Sequence, residues 1–180
     1  MRRADFLSLT ALTEQAFNSL SSRGSLPFAT ERHEGRGWGR YAVRDALRME
    51  LALSLAQLGL TQISAATLVR TEFPDLVEVA QLPWGANDLW FGFAQIGSRE
   101  VTENGVESAA MLYPMIGEAT DIHAKAQAFA LDRKCRVFGT VLINVSERIQ
   151  LLMLRARSRP SADLLLGEIE AIWEEQADGA

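Results

Sequence analysis

One cysteine, Cys135, stands in the 180 residues. No intrachain disulfide framework can form, which excludes the stapled secreted scaffolds and makes a reducing compartment the natural expectation. No clean apolar core follows the basic start Met1-Arg2-Arg3, because Thr10, Thr13, Glu14 and Gln15 interrupt it. No apolar stretch approaches the roughly 18 residues needed to cross a bilayer. A cytoplasmic chain with no membrane partner is therefore expected. There is no internal repeat and no low-complexity segment. The sequence also lacks a Gly-x-Ser-x-Gly elbow, a His-Glu-x-x-His pair and a Walker loop. Gly35-Arg36-Gly37-Trp38-Gly39 has the glycines of a phosphate cradle but no Lys-Ser/Thr after it. His33 with Glu31 and Glu34 reads as a solvated loop, and Asp121 with His123 as a helix cap and a surface residue. Cys135, between Lys134 and Arg136, reads as a structural or bystander thiol. No catalysis and no cofactor are expected.

What is present is an ordinary globular balance, 48% hydrophobic and 23% charged, with a formal net charge of −5. The charge is uneven. Residues 1–48 hold eight arginines against five acids, while the remaining 132 residues hold ten basic and eighteen acidic groups. A basic head on an acidic body predicts that only the head meets a polyanion.

The head has a readable order. Asp5 can cap a brief helix reaching Leu9 or Leu12. Thr13 can cap a second, running to Arg23, with Ala16, Phe17 and Leu20 on one face and Gly24 just past its end. Residues 27–41 carry glycines 35, 37 and 39 and predict a hairpin, with strands at 28–30 and 38–41. Val43, Leu47, Leu51 and Leu55 repeat at i+4 and predict a helix over 43–58, with Ala46, Leu53 and Leu58 widening its stripe and Gly59 closing it. A further helix is expected from Thr61 or Ser64 to about Thr71, closed by Pro74.

Beyond Pro74 the pattern changes. Pro83, Gly85 and Asn87 mark loops. Strands are expected at 89–97, 108–116 and 136–144, with a turn at Glu103-Asn104-Gly105 between the first two. Helices are expected at 123–131, from Ser146 to about Arg157, and from Ala162 to Gln176 with Leu165, Ile169, Ile172 and Trp173 on one face. The fold class expected is α+β: residues 1–73 as a helical DNA-binding domain and 75–180 as a small antiparallel-sheet plus helix domain. Trp84, Trp90, Phe91 and Phe93 are expected in its core.

The segment Leu12-Thr13-Glu14-Gln15-Ala16-Phe17-Asn18-Ser19-Leu20-Ser21-Ser22-Arg23-Gly24-Ser25-Leu26-Pro27 resembles the recognition-helix region of MerR-family regulators, where a short helix runs into a Gly-x-Leu-Pro turn. Gly39-Arg40-Tyr41 with Asp45 and Leu47 resembles that family's wing exit, and Leu58-Gly59-Leu60 with Ile63 its loop to the fourth helix. The resemblance covers roughly residues 6–70 and implies a winged helix-turn-helix that binds double-stranded DNA. It implies that Gln15, Asn18, Ser19 and Arg23 face the major groove, with Glu14 and Ser22 on the same polar face. His33 and Arg36 would sit on the wing, Arg40 and Tyr41 would hold phosphates at its exit, and Arg44 and Arg48 would add phosphate contacts. Tyr41 has an equal alternative, anchoring the wing in the core. The long dimerising coiled coil of the family is absent, since Pro74, Pro83 and Gly85 interrupt that region. A homodimer through residues 75–180 is expected instead, with room for a small-molecule effector. A DNA-bending recombination accessory factor and a ligand-binding or enzymatic α+β protein are the alternatives.

Overall fold

The computed structural model describes residues 1–29, 41–80, 89–102 and 105–174, with backbone alone at 75–80, 99–102, 105–109 and 169–174. Seven helices and one three-stranded antiparallel sheet are found among them: α1 Arg3–Leu9, α2 Glu14–Ser22, α3 Val43–Gln57, α4 Gln62–Ala80, β1 Leu89–Thr102, β2 Gly105–Glu118, α5 Ala119–Asp132, β3 Arg136–Asn144, α6 Val145–Arg157 and α7 Ala162–Glu174. The protein is α+β. Tertiary contacts divide it into two units, Met1–Pro83 with Ser146–Ala180, and Trp84–Val145.

In the first unit α3 is the central element, packed by α1, α4 and α7. The leucine repeat expected along it is buried, but so are Met49, Glu50, Ala52 and Ser54. A helix enclosed by three others hides more than one stripe of its surface. Leu58, expected in that stripe, is instead 53% exposed, because α3 ends at Gln57 and the chain turns through Gly59 at φ +109°. Asp45 closes the start of α3 by accepting a hydrogen bond from the Ala42 amide at 2.9 Å.

Glu50 is buried and pairs with Arg155 of α6, whose guanidinium also donates to the Leu9 carbonyl at 2.6 Å. One guanidinium thus joins α6, α3 and the end of α1. Burial pushes the Glu50 carboxyl above the ordinary range, and Arg155 and Arg148 pull it part of the way back.

Pro74 does not end α4. The helix continues through it to Ala80. Proline removes the amide that would bond the Arg70 carbonyl and crowds that carbonyl, at a cost of about 3 kcal/mol. Packing offsets this: Phe73 is buried, and the Arg48 guanidinium lies over its ring at 4.4 Å. The break expected near residue 74 is therefore crossed by a helix. The C-terminal helices α6 and α7, expected with the sheet, belong to the helical unit.

In the second unit the strand order is β2-β1-β3. The β1–β2 hairpin closes with Thr102 opposite Gly105, so the two connecting residues, 103 and 104, fall within the turn expected at Glu103-Asn104-Gly105. Helix α5 presents Ile122, Ala126 and Ala130, spaced by four, to Ala94, Ile96 and Met115 of the sheet. Leu89, Phe91 and Phe93, on alternate residues of β1, are buried as well. Trp90 packs against the α5 core, whereas Trp84 lies outside the described residues. Gly92 has a steric reason: a Cβ there would come within 1.9 Å of the Val141 carbonyl oxygen on β3.

Two outcomes follow. Pro74→Ala restores the missing amide and should raise stability to urea by about 2 kcal/mol, the helix gain less the roughly 0.4–1 kcal/mol that proline contributes by stiffening the unfolded chain. Arg155→Met leaves the Glu50 carboxylate buried without its cation. A carboxyl whose folded pKa is raised binds more protons folded than unfolded, so its contribution is full below the unfolded pKa of about 4.3 and is lost as pH rises through the folded value. Thermal melts of Arg155→Met should therefore show a deficit that grows from acid to neutral pH. The double variant with Glu50→Gln should remove that slope.

Candidate nucleic-acid interface

The site is built on α2, whose ends are set locally. The Thr13 hydroxyl oxygen accepts from the Ala16 amide at 3.2 Å and caps the start. The far end closes with two reversed bonds, Gly24 amide to Ser21 carbonyl at 3.1 Å and Ser25 amide to Leu20 carbonyl at 2.9 Å. That closure needs a left-handed residue, and Gly24 supplies it at φ +68°. The next carbonyl, of Leu26, accepts from Arg70 of α4 at 2.5 Å, which ties the exit of α2 into the helical unit.

Phe17 and Leu20 turn inward. Phe17 joins an aromatic cluster centred on Phe6, whose ring meets Phe17 and Phe28 edge-on, both at 5.6 Å between centroids, and stacks on Tyr41 at 4.5 Å. Tyr41 thus takes the core role, one of the two weighed for it. Its ring is buried, burial pushes its phenol pKa up, and its amide and carbonyl bond the Met1 carbonyl and the N-terminal ammonium.

The opposite face of α2 points to solvent. Glu14, Gln15, Asn18, Ser22 and Arg23 are exposed and Ser19 is half-buried. Gln15, Asn18, Ser19 and Ser22 follow the i, i+3, i+4, i+7 spacing of a single stripe, about 10 Å long at 1.5 Å per residue. The Asn18 carboxamide oxygen already accepts from Arg3 at 2.5 Å, and the Ser22 hydroxyl bonds back to the Ser19 carbonyl at 3.0 Å. Arg3 also lies over the Phe17 ring, 5.1 Å from its centroid. Arg3 is the residue that sequence reasoning passed over. Its signal was present, two arginines opening a helix, but its partner is 15 positions away.

The remaining expected contacts fare differently. His33, Arg36 and Arg40 lie outside the described residues, as do the glycine tip and most of the expected wing strands. Phe28, Ala29 and Tyr41, the described ends of those strands, are not in β structure. Arg44 is half-buried at the start of α3. Arg48 is committed internally, paired with Asp45 at 3.3 Å and packed over Phe73. A guanidinium held by a carboxylate and a ring is a poor phosphate clamp, so the phosphate contact expected of Arg48 has no support. In the second unit His123 is exposed beside Gln127 at 3.4 Å, and the Cys135 sulfur sits 3.4 Å from the Arg133 carbonyl.

No known family model matches the chain, and no curated protein is significantly similar to it.

Phe6→Ala would remove the ring shared by α1, α2, the segment at Phe28 and the lead into α3. A loss of roughly 3–5 kcal/mol is expected in denaturant unfolding, as for other buried phenylalanines. That is a large part of the whole stability of a typical domain.

Proposed function

We propose that the protein is a sequence-specific duplex-DNA-binding transcriptional regulator, acting in the cytoplasm as a dimer. The observation that carries this reading is the polar stripe of α2, Gln15, Asn18, Ser19 and Ser22, held outward by the burial of Phe17 and Leu20 on the other side. A helix of nine residues fits a major groove about 12 Å wide. A stripe of about 10 Å spans about three base pairs at 3.4 Å each. Gln15 and Asn18 carry the paired donor and acceptor that adenine presents in reverse, and exposed Arg23 is suited to guanine or a phosphate. The order of α1 to α4 and the N-terminal bias of arginine support a helix-turn-helix, with the resemblance to MerR-like regulators as the model for the wing.

One such helix reads a short half-site, and pairing two copies doubles the reading. We place that pairing in residues 75–180, where Met111, Leu112 and Phe138 of the sheet are exposed. No helix among the described residues is long and apolar enough to cross a membrane.

The test is a gel shift on genomic fragments of the host in the presence of bulk competitor DNA. The wild-type chain should retain a discrete subset of fragments. Gln15→Ala should weaken that retention by about ten- to a hundredfold, the range for losing one bidentate base contact. Arg23→Ala, if it loses a phosphate, should lower the salt slope by about one. Retention of no fragment above the competitor background would end the regulator reading.

A further inference from the structure

An open cavity of about 970 Å³ lies in the helical unit, against α1, the α1–α2 turn, the first residue of α2 and the chain just after α6. Its chemistry is two-sided. Leu7 and Leu12 give it an apolar wall, and the arginines Arg2, Arg3 and Arg159 line it as well. Among the described residues no carboxylate pairs with any of the three. The terminal nitrogen of Arg3 reaches Asn18. Arginines paired with no carboxylate, beside apolar side chains, match an anionic head on an apolar body. Glu14 also lines the cavity, so its lining holds three arginines and one carboxylate.

We propose that this cavity binds a small organic monoanion, the carboxylate of an aliphatic or aromatic acid, and that Arg3 transmits its presence to α2. Arg3 lines the cavity and also holds the Asn18 side chain, so an anion that draws the guanidinium inward releases the carboxamide. An occupant and a base pair reading Asn18 then share one residue, which couples the two binding events. This second step rests on the DNA-binding reading above, whereas the binding of the acid does not.

Calorimetric titration of the full chain with octanoate and with 2-naphthoate tests the site. One saturable event is expected for each acid. Inorganic phosphate lacks the apolar body and octan-1-ol lacks the charge, so each should bind at least about tenfold more weakly. Arg159→Ala should weaken the acids by at least about tenfold. Its side chain makes no hydrogen bond or ion pair among the described residues, so an unchanged melt is expected. Leu7→Gln should weaken binding through the apolar wall. Absence of saturable binding by both acids, or equal binding by wild type and Arg159→Ala, overturns the site. In the gel shift, octanoate should alter fragment retention by the wild type and not by Arg159→Ala. Retention indifferent to octanoate in a chain that binds it overturns the Arg3 link. Acid binding by a chain that retains no DNA supports the cavity and overturns the regulator reading alone.

Discussion

The ring of Phe6 is the contact on which the helical unit turns. It lies on a helix of seven residues, too short to persist alone in water, since helices below about 12–15 residues are marginal there. The same holds for α2, with nine residues. Neither helix forms unless its apolar face is taken up elsewhere. Phe6 does this for both, meeting Phe17 of α2, Phe28 after it and Tyr41 before α3. The polar face of α2 is therefore presented by a packed core, and its direction is set by the aromatic rings behind it.

A second constraint works through charge. Glu50 is 5% exposed, on a helix of 15 residues of which nine are buried. A buried carboxylate is costly unless a cation and further hydrogen bonds accompany it. Arg155 brings that cation and spends a second bond on the Leu9 carbonyl at the end of α1. The aromatic cluster and this pair both hold the same short helix, one through the Phe6 ring and one through the Leu9 carbonyl. Arg3, also on α1, then reaches Asn18. Helix α1 is thus the link between the core, the cavity and the exposed stripe, although it presents no obvious base-reading face of its own.

Much of the fold was legible in the residues. Helix α2 was expected from Thr13 to Arg23 and runs Glu14–Ser22, because its cap and its left-handed stop act over three or four residues. Strand β3 was expected at 136–144 and lies there, and α6 begins within one residue of the expected start. Strands β1 and β2 run longer than the apolar segments that announced them, since backbone pairing continued past the core-facing residues to the turn. Pro74 misled, because a local penalty of a few kcal/mol was weighed without the burial of Phe73 beside it. Arg48, expected to add a phosphate contact, is paired with Asp45 and packed over the Phe73 ring in the fold.

By itself the sequence determined the capped ends of the short helices and which face of each is apolar. Those properties depend on dihedral preference, capping and the 3.6- and two-residue periods, all of which act within one turn or a few residues. Only the tertiary structure decided that α6 and α7 belong with the N-terminal helices, that Glu50 is buried against a partner 105 positions away, and that Arg2, Arg3 and Arg159 share a cavity. The reason is the same for all three. A charge finds its environment through whichever distant segments pack around it, and no local period encodes which segments those will be.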